Sequence, residues 1–251
     1  MMETDGTTPA TVQPNLVQRV RGYAVHVYTA SGVGLAFLAA MEICAPAPDA
    51  RRCFILLFAA VFVDATDGFF ARRWHVKTWA AAIDGRTIDD IVDYLTFTFL
   101  PLLLMWRMEW LPQPAVLFVI PALIASLFGF ANREAKDETR GFFLGFPSYW
   151  NVVAFYAGLF GGKEAAPILG FITLALAFLT VLPVRFLYPN LAPRPWLLPV
   201  LLGALLWAIA LIALLANYPH GPRWLSLLSL SYPAFYTIVS FALSRGTTRA
   251  S

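Results

Sequence analysis

Eight stretches of this chain are apolar for long enough to cross a hydrocarbon core, and that feature leaves it few folds. They lie near residues 24–44, 53–71, 89–106, 114–131, 145–162, 166–184, 195–216 and 224–244. A bilayer core about 30 Å thick takes about 20 helical residues to cross, and a helix satisfies its own backbone polar groups in lipid. The pattern predicts an all-α, polytopic membrane protein of about eight transmembrane helices. Helix punctuation falls between the stretches, at Pro46 and Pro48, at Pro189, and at Gly221 and Pro222. With 59% hydrophobic and 13% charged residues, a soluble domain of 251 residues would lack the polar side chains to cover its surface. Cys44 and Cys53 have no zinc-ligand spacing and read as packing residues. No internal repeat is evident, which argues against transporters built from duplicated halves.

The expected organisation is a cytoplasmic segment over 1–23, a transmembrane domain over 24–244, and a cytoplasmic tail over 245–251. Residues 13–23 alternate Val17 and Val20 with Arg19 and Arg21, as a short helix lying on the membrane surface would. Residues 1–18 carry no basic cluster of the kind that opens a cleavable signal. The 18 basic residues never run longer than two, so the net charge of +3 is no nucleic-acid signal. Eight spans with an internal N-terminus place thirteen of them on the cytoplasmic side and five, Arg51, Arg52, Arg107, Lys163 and Arg223, on the other. That bias orients both termini inward.

Ionisable residues within membrane spans are costly and are functional candidates by default. Asp64 and Asp67 stand near the inner end of the second span, Asp89 and Asp93 near the start of the third. Four carboxylates gathered at one level repel one another unless cations neutralise them. Magnesium or manganese, hard ions with oxygen ligands, suit such a set. Asp64, Asp67, Gly68 and Ala71 share one helical face at i, i+3, i+4 and i+7. Gly85, Asp89 and Asp93 repeat the arrangement at i, i+4 and i+8, so two helices would oppose their carboxylates across a narrow cleft. Phosphates bridged by two metals would fit there, with Arg72 beside them. Asp90 points about 100° away and reads as a solvated terminus. His26, His75 and His220 have no ligand spacing and read as packed or solvated.

These residues, Asp64, Asp67, Gly68, Ala71 and Arg72 followed by Gly85, Asp89 and Asp93, resemble the signature of the CDP-alcohol phosphotransferases, Asp-x-x-Asp-Gly-x-x-Ala-Arg, a gap, then Gly-x-x-x-Asp-x-x-x-Asp. The gap here is twelve residues, longer than in most members, and with its flanking text it looks like the bacterial branch that makes phosphatidylcholine. The resemblance implies a six-helix core and an active site at the cytoplasmic leaflet of the inner membrane. It implies transfer of a phosphatidyl group from CDP-diacylglycerol to choline, with release of CMP and two divalent cations, Mn2+ or Mg2+, as cofactors. By the motif, Asp64, Asp67 and Asp89 are metal ligands, and Asp93 is a ligand, the general base, or both. Asp64, Asp67, Gly68, Ala71, Arg72 and Gly85 would bind CDP-diacylglycerol. Homodimers also occur in the family.

A quaternary ammonium has no N–H to donate, so aromatic faces and a carboxylate are its expected recognisers. Tyr149, Trp150 and Asn151, at the entry to the fifth span, are the first candidates for choline, with Tyr94 and Glu134 beside them. The competing reading of such aromatics is the belt found at any membrane interface. Other acceptors, serine, inositol or glycerol phosphate, stay open, because Arg133, Lys136 and Arg140 would suit a phosphorylated alcohol. A divalent-cation transporter is the alternative from a different class, but it would need polar residues along a route, and spans four and six to eight hold no ionisable residue.

Overall fold

The computed structural model describes residues 14–132, 136–137 and 141–247. The chain is helical almost throughout, and all eight expected spans fall on helices. α1 (Leu16–Ile43) and α2 (Ala50–Arg73) form an antiparallel pair. A short α3 (Val76–Trp79) leads to α4 (Gly85–Asp93), which continues through a π-helical turn (Tyr94–Phe99) into α5 (Leu100–Arg107). There follow α6 (Val116–Ala131), α7 (Trp150–Leu159), α8 (Ala166–Val181), α9 (Arg194–Ala216), α10 (Arg223–Ser229) and α11 (Ser231–Thr247). Among the described residues, five helical segments are long and apolar enough to cross a membrane, and α6 and α7 are shorter apolar helices. The outside of the bundle is apolar too: Phe171 and Leu198 are 74% and 71% exposed. Such surface is stable against lipid and not against water. The protein is a multi-pass membrane protein.

Four features depart from the sequence expectation, each with a local cause. Residues 16–23 are the first turns of α1, not a separate surface helix. Asn15 starts the helix there, its side chain accepting from the Gln18 N–H at 2.9 Å while Gln18 caps the Asn15 N–H at 2.8 Å. The fifth span starts at Trp150, not at 145, because Pro147 and the positive φ of Gly145 (83°) and Ser148 (56°) exclude helix before it. The segment ahead of it pairs instead: β1 (Lys136–Asp137), β2 (Phe142–Leu144) and β3 (Arg185–Leu187) form a small antiparallel sheet in that order. The sixth span is also shorter, its helix ending at Val181 because Leu182 is extended ahead of Pro183. Residues 1–13 and 248–251 lie outside the described residues.

The face of α1 turned to the bundle carries Gly22, His26, Thr29, Gly32, Ala36 and Ala39, all buried. Small residues let backbones approach closely, which is how helices pack where lipid removes the hydrophobic drive. A Cβ added at Gly32 would lie 2.5 Å from Val92 Cγ1, so α1 and α4 meet there with no room to spare. The π turn closes with the Leu100 N–H donating to the Leu95 carbonyl, five residues back, and so inserts one residue into the helix directly after Asp93. The main core fills the far half of the bundle around Phe54, Leu57, Met105 and Phe155, all fully buried.

Candidate active site

α2 runs four turns past its buried start before it reaches Asp64 and Asp67, and it stops at Arg73. The chain returns within eleven residues, because Asp84 caps the next helix by accepting from the Arg86 N–H at 3.1 Å and from the Thr87 hydroxyl at 2.8 Å. Those bonds, the Thr87 one first, hold the Asp84 carboxyl below its usual pKa and keep the cap charged. α4 therefore begins at Gly85, and its first turns carry Asp89 and Asp93 back alongside α2. Asp64, Asp89 and Asp93, each half-buried, offer carboxylate oxygens that all lie within 4.8 Å of one another. Hard oxygen donors so close suit a divalent cation, and the donor set fits the ions expected from the sequence. Asp90 turns away, as expected, and pairs with Arg86 at 3.6 Å.

Asp67 stands outside that trio. It is 9% exposed, and its Oδ2 accepts the Thr29 hydroxyl at 2.8 Å. It opens instead into a cavity of about 460 Å³ between α1, α2 and α4, lined by Val25, His26 and Thr29, by Asp67, Gly68 and Ala71, and by Gly85 and Asp89, among others. Gly68, Ala71 and Gly85 thus share one cavity wall with two of the aspartates. Arg72 folds back over Gly68, with a guanidinium nitrogen 3.3 Å from where a Cβ would stand. At Gly85 the space is already taken: the His26 ring sits where a Cβ would be 2.9 Å from Cε1 and 3.1 Å from Nδ1. A carbonyl can only accept, so His26 Nε2–H donates to the Ala80 oxygen at 3.3 Å and turns Nδ1 toward Gly85. His26 and Thr29 carry polar atoms into the site and escaped the motif-based reading. Their signal was polar side chains on the small-residue face of a span, between Gly22 and Gly32.

The acceptor candidates separate. Tyr149 is half-buried, its ring 6.1 Å from that of Phe97 in the π turn. Burial pushes its phenol well above the usual range, and Asp64, Asp93, Tyr188 and Tyr232 push in the same direction. Its hydroxyl therefore stays neutral. Trp150 is fully buried, donates from Nε1 to Ser126 Oγ at 2.7 Å and packs edge-on against Phe146. Asn151 is buried and accepts from the Val152 N–H at 2.9 Å, and Tyr94 donates to the Leu123 carbonyl at 3.1 Å against α6. Trp150 and Tyr94 thus spend their donors within the bundle. Glu134, with Arg133 and Arg140, lies outside the described residues.

No family model matches the chain. Curated relatives do. Phosphatidylcholine synthase of Pseudomonas aeruginosa is 37% identical over 183 residues, 72% of this chain and 74% of the relative. The Legionella pneumophila enzyme of the same name is 34% identical over 90% of this chain and 89% of its own, and the Rhizobium meliloti one is 31% identical over 89% and 91%.

Proposed function

The chain belongs to the phosphatidylcholine synthase family, and from that premise we propose that it transfers the phosphatidyl group of CDP-diacylglycerol to choline at the carboxylate cluster between α2 and α4. The observation that carries this reading is the trio of carboxylate oxygens within 4.8 Å of one another, next to a cavity lined by the Gly and Ala positions of the motif. Asp64, Asp89 and Asp93, with Asp67 beside them, would hold divalent cations, Mn2+ or Mg2+. When bound, such ions supply positive charge to the phosphate oxygens and to the departing CMP.

The remaining steps belong to the chain's own side chains. The cavity between α1, α2 and α4 receives the cytidine diphosphate, with Gly68 and Ala71 letting it approach the backbone and Arg72 adding charge on the phosphoryl oxygens. His26 fills the space above Gly85 and gives the cavity a rigid polar wall. Asp93 accepts the proton of the choline hydroxyl. The choline oxygen bonds to the lipid-esterified phosphorus in line with the pyrophosphate oxygen, and that P–O bond breaks with its electron pair leaving on CMP. Thr29 holds the Asp67 carboxylate in place through the transfer.

The charge bias, thirteen basic residues against five, supports an inner-membrane protein with both termini and the active site on the cytoplasmic side. The homodimer implied by the motif resemblance would show as a doubled mass in detergent. The deciding experiment supplies purified protein with CDP-diacylglycerol and, separately, choline, serine, inositol and glycerol phosphate. Phosphatidylcholine and CMP are expected in equal amounts, from choline alone, with loss on adding EDTA and recovery with Mn2+ or Mg2+. Product from another alcohol and none from choline would overturn the acceptor assignment. EDTA-insensitive turnover would overturn the metal.

A further inference from the structure

On the cavity flank of the carboxylate trio, two polar side chains of α1 enter at different levels. Thr29 reaches Asp67, among the acidic groups. His26 stands three residues earlier, about 4.5 Å back along the helix axis. Around it the cavity wall is largely apolar, with Val25 from α1 and Val76, Ala81 and Ile83 from the twelve-residue segment between Arg72 and Gly85. That segment is firmly seated. Val76 and Ala80 form a buried cluster with Val25, and a Cβ added at Gly22 would lie 2.9 Å from the Ala80 Cβ.

His26 is 5% exposed, and among the described residues its side chain makes one hydrogen bond, from Nε2 to the Ala80 carbonyl at 3.3 Å. The same carbonyl accepts the Ile83 N–H at 3.3 Å, so its position is set by the turn it closes. With the ring proton on Nε2, Nδ1 is an acceptor. It lies 3.1 Å from where a Gly85 Cβ would stand, and it is not sealed from the cavity. A purely apolar ring would fill the space over Gly85 equally well. What the imidazole adds is an acceptor of fixed direction at the edge of an apolar slot.

A nucleobase has two apolar faces and a polar edge, which is the complement of such a slot. Cytosine carries an amine at position 4, which donates, where uracil carries a carbonyl, which accepts. We infer that His26 selects the base of the nucleotide donor, its Nδ1 accepting a hydrogen bond from the cytosine amine while Val25, Val76, Ala81 and Ile83 cover the faces of the ring. The inference rests on the CDP-diacylglycerol reading above and adds the reason that cytidine, and not uridine, is accepted. A uracil carbonyl against Nδ1 would set two acceptors together with no proton between them. A ribose would need partners for its hydroxyls, and those four side chains have none to offer. The long connection between α2 and α4 thereby acquires a use: it closes the slot and fixes the tautomer of its one reader.

The test uses the full-length protein in lipid nanodiscs with synthetic donors: CDP-diacylglycerol, its uridine counterpart, and one whose base is pyrimidin-2-one, which is cytosine without the amine. Wild type should favour the cytidine donor over the pyrimidinone donor about tenfold in kcat/KM, as expected when a buried acceptor is left unpaired, and should reject the uridine donor more strongly. His26→Phe keeps a ring and removes the acceptor, so it should bring the cytidine and pyrimidinone donors within about twofold of each other. Gly85→Ala displaces the same ring and should shrink the same ratio, which keeps the test open where the phenylalanine variant fails to fold. Equal use of the cytidine and pyrimidinone donors by wild type overturns the inference with no variant needed. So does an undiminished cytidine preference in either folded variant, or a loss confined to the choice between ribose and 2′-deoxyribose, which would put His26 on the sugar. Calorimetric binding of CMP against the pyrimidinone nucleotide repeats the comparison with no acceptor alcohol present. If no phosphatidylcholine forms from choline, the proposed function fails, while that binding ratio still decides for or against His26.

Discussion

Helix α2 passes through two environments that differ in every respect except the helix they share. At its start, Phe54 lies edge-on to Phe155 at 5.2 Å and to Tyr218 at 5.1 Å, and Phe155 and Tyr218 lie 5.0 Å apart. Tyr218 also donates to the Phe155 carbonyl at 3.1 Å. Ten residues on, about 15 Å along the axis, the same helix carries Asp64, Asp67, Gly68 and Ala71 beside a cavity of about 460 Å³. One end is filled by large rings, and the other is kept open by small residues. Close carboxylates repel one another, and bound cations offset that repulsion. The ring cluster holds the helices in register while the reacting end stays hollow.

That division can be broken at either end. The largest effect is expected at the carboxylates: Asp93→Asn should cut turnover by about 10²–10⁴-fold, the usual worth of a positioned base. Its melting temperature should stay close to that of wild type; a large drop would show that the cluster is structural. Next comes Phe54→Ala, which empties a fully buried ring site and should cost about 3 kcal/mol of stability, read by thermal unfolding in detergent. The fraction that stays folded should keep both substrate KM values. A changed KM would mean that the two ends are coupled more tightly than their packing suggests.

Smaller changes sharpen the comparison within the open end. Gly85→Ala must push the His26 ring aside, an overpacking cost of about 1–3 kcal/mol, and should raise the CDP-diacylglycerol KM about tenfold while sparing the choline KM. A selective effect on choline would place His26 on the wrong flank. Thr29→Val removes the hydroxyl from Asp67 at nearly constant volume. A loss of about tenfold in kcat/KM is expected, near the low end for a hydrogen bond to a carboxylate, and no loss would remove Thr29 from the site.

The two flanks of the site differ in how well they could be read from the chain alone. The donor flank depends on i, i+3 and i+4 spacing within residues 64–93, and helix geometry turns such spacing into a shared face with no knowledge of the rest. Asp64, Asp89 and Asp93 meet as the spacing implied, whereas Asp67 is drawn aside by Thr29, a partner on another helix that no local pattern names. The other side depends on the connection ahead of α7, whose β2 pairs with β3 from a distant part of the chain. The strands lie in the connections between the expected spans and are two or three residues long, too short for an alternating pattern to show. Trp150 and Asn151 looked equivalent to Tyr149 in the sequence, but Ser148 holds a positive φ and the helix starts just after Tyr149. The chain's change of course there leaves Tyr149 half-buried beside Phe97 and carries Trp150 into the core.

The π turn after Asp93 has a further consequence. One inserted residue swivels everything downstream by about 100° relative to an unbroken helix. The acidic residues of α4 and the apolar residues of α5, Leu102, Leu104 and Met105, are like two cams set at independent angles on one shaft. Chemistry at one end and anchorage at the other need not share a stripe, and either can be retimed without disturbing its neighbour.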